Sequence, residues 1–192
     1  MDERFSHTTY LIRRKVLKLL GGAFHIFGPD GELLFYSKMK AFKLKEDIRL
    51  YTGEDMQTEL LTISARNVID FSATYDVVDA PSGEHIGALR RKGMKSILKD
   101  EWLILDTSDR QIGAIREESM MMALIRRFLS NLIPQTYVGE INGTPVLEFK
   151  QQFNPFVLKL NLDFSEDTGG LLDRRLGMAA GILLCAIEGR EG

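Results

Sequence analysis

From Tyr10 to about Phe164 the chain alternates short runs of Val, Ile, Phe, Tyr and Leu with turns rich in Gly, Pro, Asp and Asn. This is the pattern of strands joined by hairpins. The runs centre on residues 10–13, 24–27, 33–37, 48–51, 60–65, 73–79, 85–90, 102–106, 111–116, 137–141, 146–149 and 157–163. Several joins carry the residues that tight turns need: GPDGE at 28–32, APSGE at 80–84, TSDRQ at 107–111 and INGTP at 141–145. The order strand, turn, strand, basic linker, strand over 24–52 returns over 75–117, and a third, looser copy covers 137–164. The period is irregular and made of strands alone. That favours a closed sheet, which leaves no long edge exposed, over an open solenoid.

Two segments break the β pattern. In EESMMMALIRRFLSNLIPQ, Ser119 is placed to cap a helix, Glu117 and Glu118 suit its positive end, and Pro134 marks its exit. Met121, Met122, Ile125, Phe128, Leu129 and Leu132 fall on one side of that helix and Arg126, Arg127 and Ser130 largely on the other. Such a stripe packs against the barrel, or its methionines receive a partner or a lipid.

The second segment, 176–187, contains no charged or amide side chain. As a helix it would be about 18 Å long, too short for a bilayer core of about 30 Å, and it is apolar all the way round. A barrel of about twelve strands is in turn too wide for its own side chains to fill, because diameter grows with strand number. One arrangement meets both requirements: the helix fills the barrel. Gly177, Ala179, Ala180, Gly181 and Ala186 let the walls approach, and Met178, Ile182, Leu183, Leu184 and Ile187 fill the gaps. Asp173, Arg174 and Arg175 are expected to stay in water at its entry, and Glu188, Arg190 and Glu191 at its exit. The predicted fold is mainly β (α+β): a single domain over 1–192, forming a closed antiparallel barrel of roughly twelve strands around the C-terminal helix. One additional amphipathic helix is expected, and the first nine or so residues are expected to be loose.

Composition narrows the partners. Lys and Arg total 25 against 27 for Asp and Glu, a net charge of -2, so no global attraction draws the chain to nucleic acid, and none is expected as a partner. Any anion must be met by a local patch. Cys185 is the single cysteine and lies inside the apolar run, which excludes an internal disulfide and a cysteine-based metal site. The N-terminus has no signal-peptide pattern. A cytoplasmic protein is expected, with no transmembrane span.

The apolar ending LDFSEDTGGLLDRRLGMAAGILLCAIEG is similar to that of phospholipid scramblases, where a strand leads through a charged turn into a Gly- and Ala-bearing helix. The unit LLFYSKMKAFKLKEDIRLYT resembles the LURP-one-related pattern of strand, basic linker with a central hydrophobe, and strand, and it recurs as IGALRRKGMKSILKDEWLIL. Over about residues 10–188 the chain therefore resembles the tubby C-terminal-like superfamily, in its scramblase and LURP-one-related branches. The resemblance implies a twelve-stranded barrel threaded by its last helix, and it makes phosphoinositides and other anionic phospholipids the implied ligand class. The cysteine clusters and Pro-rich extension of scramblases are absent here. Where that branch places a proposed calcium segment, this chain has NLDFSEDTGG, whose Asp163, Glu166 and Asp167 lack full EF-hand spacing and suit turns instead.

Catalytic patterns are scarce. His7, His25 and His85 are scattered without ligand spacing. The DTGG at 167–170 has no second copy to share a proton as aspartic proteases require, and GALRRKGMKS at 87–96 has the wrong glycine spacing for a phosphate loop. No enzyme activity, metal or cofactor is expected. What remains is basic: RRK at 13–15, KMKAFKLK at 38–45, RRKGMK at 90–95 and Arg126–Arg127. The candidate lipid- or phosphate-binding residues are Lys38, Lys40, Lys43, Lys45, Arg90, Arg91, Lys92 and Lys95, on a module that would sit peripherally on an anionic membrane. Their alternative role is solvated edge protection. A scaffold that uses the Met-rich helix at 119–132 to bind a protein partner is the other functional reading.

Overall fold

The computed structural model describes residues 1–15, 22–39, 47–69, 72–92, 101–118, 135–152, 154 and 157–187. Twelve strands follow in order: β1 (Thr9–Lys15), β2 (Gly22–Phe27), β3 (Leu33–Met39), β4 (Ile48–Tyr51), β5 (Glu59–Ile69), β6 (Ser72–Asp79), β7 (Glu84–Arg91), β8 (Glu101–Leu105), β9 (Gln111–Glu117), β10 (Thr136–Ile141), β11 (Thr144–Gln152) and β12 (Val157–Asp163). Each strand pairs antiparallel with its neighbours in sequence, and β1 pairs with β12 from Thr9↔Asp163 to Lys15↔Val157, so the ring closes.

Period-two patterning sets which side chains face in. Along β1, Tyr10, Ile12 and Arg14 are buried while Leu11 and Arg13 are only partly so. Ile12 stands opposite Ile26 and Leu160, and Ile26 opposite Phe35, which carries one apolar layer across the seam where the sheet closes. β8 is apolar without a break from Trp102 to Leu105 and is buried on both faces there, as such runs are. Trp102 and Ile104 join the main core, while Leu103 and Leu105 form a separate buried cluster with Ala88 and Ala114.

The apolar C-terminal run is a helix, α1 (Arg174–Ile187), and every residue from Arg175 to Ile187 is buried. α1 packs against β1, β6, β7 and β12, and the ring order puts β1 and β12 across from β6 and β7. Its glycines are where the walls come closest. A Cβ at Gly177 would run into the Phe164 ring and one at Gly181 into Ile12 and Phe149.

Two outcomes differ from the sequence-based expectation. Arg175, expected in water, is 7% exposed. Its guanidinium exchanges hydration for charge-assisted bonds, with Nη2 2.7 Å from Asp173 and Nη1 3.0 Å from Asp79 and 3.2 Å from Glu84. The opening segment, expected to be loose, forms a 3-10 turn at Glu3–Phe5 capped by Asp2. It buries Phe5 with its ring centroid 4.7 Å from that of Phe35. The Met-rich segment 119–132, expected as a second helix, lies outside the described residues. Among the described residues no helix is long and apolar enough to cross a membrane.

Candidate functional site

Antiparallel closure gives the barrel two chemically distinct ends. At one end lie the turns 28–32, 52–58, 80–83 and 106–110 and the approach to α1 at 164–173. They present Asp30, Glu54, Asp55, Asp109 and Glu166, with Asp79 and Glu84 flanking the β6–β7 turn. At the opposite end β1 finishes in Arg13–Arg14–Lys15, β3 in Lys38 and Met39, and β7 in Arg90 and Arg91, followed by Lys92. The weak net charge therefore hides a separation of charge along the barrel axis.

The sequence-derived candidates divide as follows. Lys38 is exposed near the end of β3, opposite Ala23 of β2, and makes no ion pair with a described residue. Arg90 is half-buried and donates from Nε to Thr74 Oγ1 at 3.1 Å. Arg91 closes β7 opposite Trp102. Lys92 is engaged, its Nζ 2.7 Å from Glu101, a carboxylate that also receives Arg116 at 2.8 Å. Burial pushes the Glu101 carboxyl up, and the bonds from Lys92 and Arg116 outweigh that and hold it below the ordinary glutamate value. Lys40, Lys43, Lys45 and Lys95 lie outside the described residues. Lys38 and the Arg90–Lys92 group share the basic end but stand apart, because β4, β5 and β6 separate β3 from β7.

The acidic end is largely committed to folding. Asp163 accepts the Ser165 N–H at 2.8 Å, and the two oxygens of Asp167 accept the Leu171 and Leu172 N–H groups at 2.7 and 3.2 Å. These carboxylates shape the turn into α1, as loop acids do. His25 and His85 each sit 2.8 Å from a carboxylate, Glu54 and Asp76 respectively, and His7 lies 3.9 Å from Glu32. Among the described residues no three His, Cys, Asp or Glu side chains converge as a metal site would need. Desolvation raises the Cys185 thiol to about 12.

The register also joins residues that the linear sequence keeps far apart. Arg13 of β1 faces Lys159 of β12, and a groove of about 550 Å³ on the outer wall runs past both. The alternation in VLKLNLD places Lys159 outward, but only closure of the ring makes it a neighbour of Arg13.

The model of the LURP-one-related family matches residues 33–163, from β3 to the end of β12. No curated protein and no solved structure matches the chain.

Proposed function

Because the chain belongs to the LURP-one-related family, we propose that it is a non-catalytic module that rests on anionic phospholipid surfaces through the end of the barrel where β1, β3 and β7 finish. The observation that carries this reading is the charge separation between the two ends. A basic end attracts an anionic leaflet by about 1 kcal/mol per Lys or Arg held near it, and the acidic far end is repelled, so the field orients the barrel as well as holding it. In this reading α1 is the interior filling that keeps so wide a ring rigid behind the contact face. Its support is the burial of every residue from Arg175 to Ile187 and its contact with strands on opposite sides of the ring.

The test is sedimentation with phosphatidylserine-containing and with pure phosphatidylcholine vesicles across a salt series. Binding is expected on the anionic vesicles alone, and it should fade as salt shortens the Debye length. Lys38→Glu, a reversal of one exposed charge, is expected to weaken binding roughly tenfold. Equal failure on both vesicles at low salt would remove the reading.

A further inference from the structure

Several outward-facing cations on this barrel are matched to acids. Arg49 is 2.9 Å from Glu59, Arg66 is 2.7 Å from Asp109, and Arg116 is 2.8 Å from Glu101. The seam between β1 and β12 departs from that habit. Arg13 and Lys159 are direct cross-strand partners, an arrangement of like charges that costs stability rather than supplying it. Neither makes an ion pair with a described residue. Arg13 has His25 as its other neighbour, on β2, and that ring is taken by Glu54 at 2.8 Å. Arg13 Nε is buried and finds no acceptor among the described residues.

Both cations line the groove of about 550 Å³, within the range of small-molecule sites. Asn161, two residues along β12 on the same face, also lines it. Its Oδ1 accepts from Gln152 Nε2 at 3.0 Å, which leaves the Asn161 NH2 group to donate. Toward the acidic end the lining includes the apolar Leu11, Phe27 and Pro29, with Thr9 and Asp163 also at that end.

We propose that this groove binds a phosphate-headed amphiphile, its phosphate held by Arg13, Lys159 and Asn161 and its apolar part laid along Leu11, Phe27 and Pro29. A guanidinium, an ammonium and an amide at neighbouring positions of one wall offer several donors, enough to serve the multiple acceptor oxygens of a phosphate. The bound anion would supply the counter-charge that Arg13 and Lys159 lack among the described residues. The site lies on the wall of the barrel and shares Arg13 alone with the surface contact proposed at the basic end, while Lys159 and Asn161 belong to the groove.

The experiment is calorimetric titration of the full chain with inorganic phosphate, glycerol 3-phosphate, a short-chain water-soluble phosphatidic acid and octanoate. Phosphatidic acid is expected to bind tightest, and glycerol 3-phosphate and inorganic phosphate progressively more weakly. If inorganic phosphate binds as tightly as phosphatidic acid, the apolar strip plays no part and the amphiphile is overturned. If octanoate matches phosphatidic acid, the phosphate assignment is overturned. Arg13→Gln is expected to weaken phosphatidic acid at least about tenfold. Lys159→Glu, which builds the missing ion pair with Arg13, is expected to abolish binding and raise Tm. Lys38→Glu is expected to leave the titration unchanged while weakening vesicle binding, so failure here and failure of the surface reading are separable. Wild-type affinity in both groove variants would overturn the site.

Discussion

Arg14 Nη1 donates to the Cys185 carbonyl oxygen at 2.6 Å, a buried bond between the end of β1 and the last turn of α1. Arg14 faces inward by the same alternation that buries Tyr10 and Ile12, and its guanidinium carbon lies 5.8 Å from the centre of the Phe24 ring. The last carbonyls of a helix lack intrahelical partners and carry its negative end, so a cation there satisfies both needs. Arg14→Met keeps the apolar bulk and removes the donor. It is expected to destabilise the protein by about 2 kcal/mol, read as a lower urea midpoint at unchanged m-value.

Cys185 tests the burial of α1 directly. Its thiol is fully buried, and desolvation raises it to about 12, with Arg14 pulling weakly the other way. Since the thiolate is the reactive form, native protein at pH 8 is expected to resist a thiol reagent that modifies the denatured chain stoichiometrically. Equal rates in the two states would mean that α1 is not held inside.

The clamp at the other end of α1 is sensitive to acid. Burial pushes the Asp79 carboxyl up, but hydrogen bonds from Ser82 and Arg175 outweigh it and hold the group below its ordinary value of 3.8. A carboxylate lowered in the folded state adds stability above its unfolded pKa and loses it as pH falls through the folded one. Stability is therefore expected to drop below about pH 4, and Asp79→Asn should flatten that drop. Arg175→Met would leave Asp79, Glu84 and Asp173 together without their cation and is expected to cost about 3 kcal/mol at pH 7, measured by urea unfolding.

The strands were legible because their information is local. Alternation at Tyr10 and Ile12, or the turn residues at 28–32, depends only on a few neighbouring positions. The apolar run of α1 was legible for a similar reason, since it has no polar face to offer water. Arg175 was misread because its partners Asp79 and Glu84 sit nearly a hundred residues away, on a hairpin that comes beside α1 only once the ring has formed. The Arg13–Lys159 pair was hidden by the same distance. Linear basic runs picked out Lys92, yet its charge is absorbed by Glu101, because ion pairing across strands depends on register and not on composition.

Packing around α1 supplies the last prediction. At Gly177 a Cβ would enter the space of the Phe164 ring, with the Leu147 side chain 3.3 Å away. Alanine in a helix interior is favoured over glycine by about 1 kcal/mol, whereas forcing a methyl group into a filled core costs about 1–3 kcal/mol. The collision is with a ring that is itself 1% exposed and stacked under Arg174, 4.4 Å from its centroid, so the ring has little room to yield and the steric term wins. Gly177→Ala is expected to destabilise by about 1 kcal/mol or more. The two sites touch, so their effects should not add. Gly177→Ala is expected to cost less in a Phe164→Leu background, where the smaller side chain makes room for the methyl group. A double-mutant cycle by urea denaturation that shows no such coupling would mean that α1 and the β12 exit do not pack as described.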